Sequence, residues 1–264
     1  MPKDVYITAK DNPAVKRYRK LRDQKKARRA EGLFVAEGLR IVADALRYPA
    51  MVQQLFVTDT AWAHHGDALT AAQESGMLLR ISDAVGETMR DTAHGQGVFA
   101  VCRVPERAPL ETVLRPEGRY LVLCGLQDPG NMGMILRTAD ALGIEAVLSA
   151  GSCELFAPKV VRAAMGSVLR VPVYETDDAL GLAAMLAARG IVSFAAVPAQ
   201  GADVLRDGLL GDGCAVWIGN EGSGLPQDVI DACGRAVTIP MSGGPESLNA
   251  AMAAGILMWE MRRQ

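Results

Sequence analysis

The chain has 264 residues, of which 50% are hydrophobic and 22% charged, with a formal net charge of −2. That length accommodates two domains with substantial cores. No apolar run approaches the roughly 18 residues of a membrane span, and the Met-Pro-Lys-Asp start has no apolar signal stretch, so a cytoplasmic protein is expected rather than a membrane or secreted one.

Asn12-Pro13 reads as the cap and first residue of a helix that runs to about Arg29 and ends at Glu31-Gly32. Its apolar positions Val15, Tyr18 and Leu21 form one narrow stripe, and the other faces are basic. From Lys10 to Arg29, ten Lys or Arg (positions 10, 16, 17, 19, 20, 22, 25, 26, 28 and 29) stand against two acids, Asp11 and Asp23. Residues 33–36 read as a strand, 37–47 as a helix, 52–57 as a strand, 60–75 as a helix, and 77–81 and 97–104 as strands. The prolines of Pro105-Glu-Arg-Ala-Pro109 and Arg115-Pro-Glu-Gly118 disfavour regular structure. Two domains are therefore expected, at 1–104 and 119–264, with a linker at 105–118.

The second half alternates. Strands are expected at 120–124, 146–149, 171–174, 191–197, 214–218 and 236–239, and helices at 131–142, 158–166, 178–189, 226–232 and 248–262. These strands are continuous apolar runs, as in a mostly parallel sheet with helices on both faces, an α/β fold. Ligands on such sheets bind at the carboxyl ends of strands. The five cysteines include no C-x-x-C pair, and Cys102, Cys124 and Cys214 fall in strand-like runs, which suits buried thiols. The three histidines show no metal-ligand spacing, so no metal is expected.

Three loops carry chemistry: Asn131-Met-Gly-Met-Ile-Leu-Arg137, Trp217-Ile-Gly-Asn-Glu-Gly-Ser-Gly-Leu-Pro226 and Ile239-Pro-Met-Ser-Gly-Gly-Pro-Glu-Ser-Leu-Asn249. Each follows a strand-like run and joins glycines to polar side chains. Gly219 to Gly224 spells G-x-x-G-x-G, not the G-x-G-x-x-G of a nicotinamide-binding fingerprint. A Gly-rich turn explains its glycines but not an Asn-Glu pair at the mouth of a sheet. Ser247 suits a helix cap, whereas Asn249 is an amide in the first turn of an otherwise apolar helix and needs hydrogen-bond partners. Apolar flanks around Arg137 suggest a largely buried helix, in which an arginine needs an anionic partner such as RNA phosphate.

In this order and spacing the three loops resemble the motifs of the SpoU (TrmH-type) family of RNA 2′-O-ribose methyltransferases in the SPOUT superfamily. The resemblance covers essentially the whole second half and, more loosely, the first, which resembles a substrate-binding domain related to the ribosomal protein L30e fold. It implies a SPOUT α/β domain with a deep trefoil knot, S-adenosylmethionine held in that knot, and a homodimer whose active site draws on both chains. By matching position it assigns Gly219, Ile239 and Leu248 to the cofactor, with Met241 and Ala196 lining its pocket. Val197-Pro-Ala-Gln-Gly201 departs from the family by lacking a threonine near that strand end. Asn131, Arg137, Glu221, Ser247 and Asn249 match the polar active-site set.

The resemblance makes Arg137 the activator of the ribose hydroxyl. A free guanidinium is protonated, with a pKa above about 12, so binding the adjacent phosphate and stabilising the developing alkoxide is the milder role. Lys16, Arg17, Arg19, Lys20, Lys25, Lys26, Arg28 and Arg162 are the expected RNA contacts, with Lys159 and Arg170 as extensions. His94-Gly-Gln-Gly97 resembles a turn of the family and receives no chemistry. Large-subunit ribosomal RNA is the expected substrate. A tRNA 2′-O-methyltransferase and a non-catalytic RNA-binding assembly factor are the alternatives.

Overall fold

The computed structural model describes residues 5–48, 50–74, 76–92, 95–198, 201–243 and 247–263. The chain divides into two compact units, Met1–Glu106 with Glu154–Gly166, and Arg107–Cys153 with Ser167–Gln264.

The first unit holds β1 (Tyr6–Ile7), α1 (Pro13–Asp23), α2 (Lys25–Glu31), β2 (Leu33–Glu37), α3 (Leu39–Leu46), β3 (Val52–Thr58), α4 (Asp59–Glu74), β4 (Leu78–Ile81), α5 (Asp83–Met89) and β5 (Val98–Arg103). Its sheet runs β1-β4-β3-β5-β2. β5 is antiparallel to both neighbours, and the remaining pairs are parallel. The basic helix expected over 12–29 is two helices. Gln24 leaves helical geometry at φ −122°, ψ 109°, and Gly32 ends the second helix at φ 63°. Val15, Tyr18 and Leu21 are buried as their spacing predicts, and Tyr18 meets Phe56 and Phe99 edge-on.

Segment Glu154–Gly166 belongs to this unit by contact, although it lies within the second half of the sequence. Phe156 stacks on Phe34 with ring centroids 4.8 Å apart. Arg28 grips Glu154 with two bonds of 2.7 and 2.6 Å, and its third nitrogen donates to the carbonyls of Leu21 and Arg22. With the two side chains only 7% and 12% exposed, this is a fully hydrogen-bonded buried ion pair, the arrangement that such burial requires.

The second unit contains α6 (Leu110–Val113), β6 (Arg119–Cys124), α7 (Pro129–Leu142) and β7 (Ala146–Ala150). After α8 (Pro158–Ala163), which packs on β2 of the first unit, it continues with α9 (Ser167–Arg170), β8 (Val173–Thr176), α10 (Ala179–Ala188), β9 (Val192–Ala196) and β10 (Asp203–Val204). It ends with β11 (Cys214–Ile218), α11 (Gln227–Cys233), β12 (Arg235–Thr238) and α12 (Ala250–Arg262). The seven strands lie in the order β10-β12-β9-β11-β6-β7-β8, and every pair is parallel. One face packs Tyr120, Val122, Ala195 and Trp217 against Leu182, Leu186 and Val229 of α10 and α11. α12 packs against α7, β6 and β11 on its own side of the sheet. Continuous apolar strands are thus covered by helices, as the sequence predicts.

Cys102, Cys124, Cys214 and Cys233 are buried free thiols, and Cys153 is partly buried. Burial pushes the thiols of Cys102 and Cys233 up to about 12. Among the described residues no helix is long and apolar enough to cross a membrane, and no group of three or more His, Cys, Asp or Glu is placed to hold a metal ion.

Candidate active site

β11 lies between β9 and β6, and β12 lies on the far side of β9. The loops that leave the carboxyl ends of β6, β11 and β12 therefore share one edge of the sheet, where parallel sheets bind ligands.

After β6, the Asp128 carboxylate caps α7 by accepting from the Asn131 amide at 2.8 Å, and Pro129 takes the first helical position. This places Asn131, only 8% exposed, in the first turn. After β11, Asn220 and Gly224 exchange backbone hydrogen bonds of 3.0 and 2.9 Å. The Asn220 side chain accepts from the amides of Gly222 and Ser223 and donates to the carbonyl of Gly125 at 2.9 Å. This tight turn explains Gly219, where a Cβ would lie 2.2 Å from the carbonyl carbon of Gly224.

Glu221 stands at the tip of that turn. Its carboxylate accepts from the amides of Gln127 and Asp128 at 3.0 and 2.9 Å and from Nδ2 of Asn131 at 3.0 Å. Partial burial pushes its pKa up, but the three hydrogen bonds outweigh burial and hold it below the usual 4.5. The opposite end of the Asn131 amide, Oδ1, accepts from Nδ2 of Asn249 at 3.0 Å. Asn249 in turn caps α12, accepting from the amides of Ala251 and Met252 at 2.9 and 3.2 Å. The three loops are thus joined by one directional relay, Asn249 to Asn131 to Glu221.

Beside the relay lies a cavity of about 730 Å³. Ala196, Gly219, Ile239, Met241 and Leu248, the five positions expected around the cofactor, all line it, together with Ser247 and Glu221. Its size falls within the range of about 300–1,000 Å³ common for small-molecule sites. A lining of apolar side chains with the close-packed Gly219 turn suits a ligand with a flat heterocycle and an aliphatic amino-acid arm. S-adenosylmethionine has that shape, and an apolar wall favours the neutral thioether left after methyl transfer over the charged sulfonium.

The structure brings Asn131, Glu221 and Asn249 into hydrogen-bond contact and puts Ser247 on the cavity wall. Arg137 stays apart. It is exposed on the outer stripe of α7 with Met134, does not line the cavity, and has no bonded partner among the described residues. The helix is largely buried, as its apolar residues predict, but Arg137 lies on its exposed stripe, so burial imposes no anionic partner on it. Residues 244–246 of the third loop, residues 199–200 after β9, and His94 lie outside the described residues.

Of the expected RNA contacts, Lys16, Arg17, Lys20, Lys25 and Lys26 are exposed on α1 and α2, with Arg17 paired to Glu31 at 2.8 Å. Arg19 is half-buried. Arg28, expected on this basic surface, is instead turned inward to Glu154. Arg162 is paired with Asp91 at 2.5 Å, and Arg170 with Asp140 at 2.8 Å. Gln127, Asp128 and Asn220 hold the loops in place; the sequence marks Asn220 as half of the Asn-Glu pair and Asp128 at the opening of a helix, and gives Gln127 no signal. The Asp128-Pro129 pair is a strong helix-start signal.

The profile of the SpoU rRNA Methylase family matches residues 118–259, and that of the MRM3-like substrate binding domain matches residues 12–100. The chain is 30% identical, over 97% of its length and 98% of the relative's, to the 23S rRNA (guanosine(2553)-2′-O)-methyltransferase RlmP of Bacillus subtilis. It is 34% identical, over 98% of its length and 93% of the relative's, to an uncharacterized tRNA/rRNA methyltransferase of Synechocystis. The AdoMet-bound rRNA methyltransferase from Sinorhizobium meliloti superposes with a TM-score of 0.81 at 31% identity, covering 98% of this chain and 97% of that one. The loop motifs, the cofactor-sized cavity beside them and these matches agree: the chain belongs to the SpoU rRNA Methylase family and is an S-adenosylmethionine-dependent RNA methyltransferase.

Proposed function

We propose that this enzyme methylates the 2′-hydroxyl of a ribose in large-subunit ribosomal RNA. The observation that carries the site assignment is the relay Asn249–Asn131–Glu221 at the mouth of the cavity lined by Gly219, Ile239 and Leu248. The full-length similarity to a 23S rRNA 2′-O-methyltransferase supports the substrate.

In this reading Gly219, Ile239 and Leu248 hold the cofactor, with Met241 and Ala196 completing its pocket. Bound S-adenosylmethionine supplies an electrophilic methyl group on a sulfur that loses its positive charge on transfer. The chain's own contribution is mainly alignment of the ribose oxygen with that methyl group. Asn131, Glu221 and Asn249 fix the three loops relative to one another. Ser247, exposed on the cavity wall, presents a hydroxyl to the acceptor. Arg137 binds the phosphate next to the reacting ribose and stabilises the developing alkoxide as the hydroxyl proton passes to solvent water.

A homodimer is part of the proposal. Met134 on α7 and Met252 and Trp259 on α12 are about half exposed, an apolar stripe that a second copy would cover. Arg137 shares the outer face of α7 with Met134, which fits a site completed across that interface. We also retain the trefoil knot around the third loop, the division into a substrate-binding domain at 1–104 and a methyltransferase domain at 119–264, and cytoplasmic action. Lys16, Lys20, Lys25 and Lys26, with Arg17 and Arg19, form the proposed phosphate-binding surface, while Arg28 serves the fold.

The test is transfer of label from S-adenosylmethionine into total RNA from a methylation-deficient host, resolved by size. Label in large ribosomal RNA supports the reading. Label in tRNA retains the chemistry and replaces the substrate. Cofactor binding without label in any RNA, naked or as assembly intermediates, leaves a binding factor.

A further inference from the structure

A second cavity, of about 420 Å³, lies within the first unit, where β3 hands over to α4 beside α5 and the lead into β5. Its floor is apolar and tightly built. Phe99 is 1% exposed and Thr58 5%. Glycine is required at two points: a Cβ on Gly86 would lie 2.4 Å from the Thr58 methyl, and one on Gly97, at φ +68°, would lie 2.3 Å from the Thr58 hydroxyl. Backbone therefore approaches the floor as closely as it can.

The rim presents flat and hydrogen-bonding groups. The His64 and His65 rings both line it, with centroids 6.2 Å apart. Gln96 also lines the cavity, its Oε1 accepting from the amide of Leu39 at 2.9 Å, which orients the amide and leaves Nε2 as a donor. Two carboxylates complete the wall. Asp83 accepts from the amide and hydroxyl of Thr60 at 3.2 and 3.0 Å, and Glu87 pairs with Arg90 at 2.6 Å.

We infer that this cavity receives an unstacked nucleobase of the substrate RNA. The inference rests on the RNA methyltransferase reading and names a specificity site for it. Arg90 in the same wall is paired with Glu87 and Asp83 adds a further negative charge, so the wall has no excess positive charge to hold a phosphate. A base is neutral, stacks on histidine or arginine planes, and offers N–H donors to carboxylates and acceptors to an amide. Splayed single-stranded bases are read in this way. The phosphates would meet the exposed lysines of α1 and α2, so one unit divides the work between a charge-reading face and a base-reading cavity.

The experiment measures binding of the full-length protein to transcribed 23S rRNA and to total tRNA across a salt series, for the wild type, His65→Ala, Gln96→Ala, His65→Phe and the double variant Lys16→Ala/Lys20→Ala. Unchanged thermal unfolding and S-adenosylmethionine affinity show that each variant is folded. Stacking lost on alanine substitution corresponds to about tenfold weaker binding or more. The expected result is that loss for His65→Ala and Gln96→Ala with the wild-type salt slope, recovery in His65→Phe, and a shallower slope only in the lysine variant. Alanine variants within twofold of wild type, or alanine variants that flatten the slope as the lysine variant does, overturn the cavity assignment while leaving the enzyme reading intact. A wild-type chain that binds neither RNA overturns both.

Discussion

Asn249 donates its side-chain amide to the side-chain oxygen of Asn131 at 3.0 Å, across 118 residues of sequence. Each asparagine also caps or opens a helix and holds a second partner. Asn131 passes the link to Glu221, while Asn249 caps α12. The amide geometry leaves each group one role per end, so the relay has a fixed direction. It positions the cavity wall instead of offering a free acid or base.

Asn249→Asp and Asn249→Ala separate the two roles of this residue. Aspartate is as good a helix cap as asparagine, whereas alanine loses the cap at about 1–2 kcal/mol. Aspartate also turns an acceptor toward Oδ1 of Asn131 and breaks the relay. Urea unfolding should show alanine clearly destabilised and aspartate less so, with methyl transfer impaired in both. Full activity in Asn249→Asp would show that the relay is dispensable.

Gly219→Ala should abolish useful cofactor binding. The added Cβ meets backbone atoms of Gly224 and Leu225 at 2.2 to 2.5 Å, and backbone cannot swing away as a long side chain can. Overpacking of this kind corresponds to an S-adenosylmethionine affinity about tenfold lower or worse. Calorimetric titration measures it, and wild-type affinity would place the cofactor elsewhere.

Glu221 sets a pH dependence. Its folded pKa lies below the usual 4.5 because three hydrogen bonds to the carboxylate outweigh partial burial. A depressed folded value means that the ionised carboxylate stabilises the site above the unfolded pKa, and that this support is lost as pH falls through the folded one. The relay should therefore be intact at neutral pH and loosen only in acid below 4.5. A carbon-detected NMR titration of the Glu221 carboxyl should give a midpoint below that value, and a midpoint above it would contradict the bonding described.

Arg137→Ala should leave stability within about 0.5 kcal/mol of wild type, because the side chain is exposed and bonds nothing within the described chain. Loss of a group that stabilises developing charge corresponds to a turnover about 100-fold lower or more. Paired unfolding and single-turnover measurements check both halves. Near-normal turnover would remove Arg137 from the mechanism.

Arg28→Ala should behave in the opposite way. It strands Glu154 in a site where both side chains are almost wholly covered, which corresponds to about 3–5 kcal/mol of stability. Denaturant unfolding should report that loss, and Lys26→Ala, on the exposed face beside it, should report almost none.

Much of this architecture is legible in the sequence, and the exceptions have physical causes. The stripe Val15, Tyr18, Leu21 announces a buried helix face, yet the break at Gln24 carries no glycine or proline to mark it. The helix over Asp83–Met89 escapes because it is seven residues long with Gly86 inside it, and two-residue strands such as Tyr6–Ile7 and Asp203–Val204 carry no period. All three loops of the candidate site stand out because each joins a buried strand to glycines and an amide or acid. Their mutual bonding does not, since residues 118 apart meet only through the strand order. Arg137 misleads because its immediate neighbours are apolar. It lies three residues from Met134, so the two share one outward stripe, and only the packing of α7 against α12 shows which stripe that is.

The account stands most directly on the chemical identity of the product. RNA labelled from S-adenosylmethionine by the wild-type enzyme should be digested to nucleosides and resolved by chromatography. A 2′-O-methyl nucleoside as the sole labelled species is the predicted result. Label on a base, with unmodified ribose, would contradict the site as described, because it would require the cavity and relay to present a heterocycle where the proposal places a ribose hydroxyl.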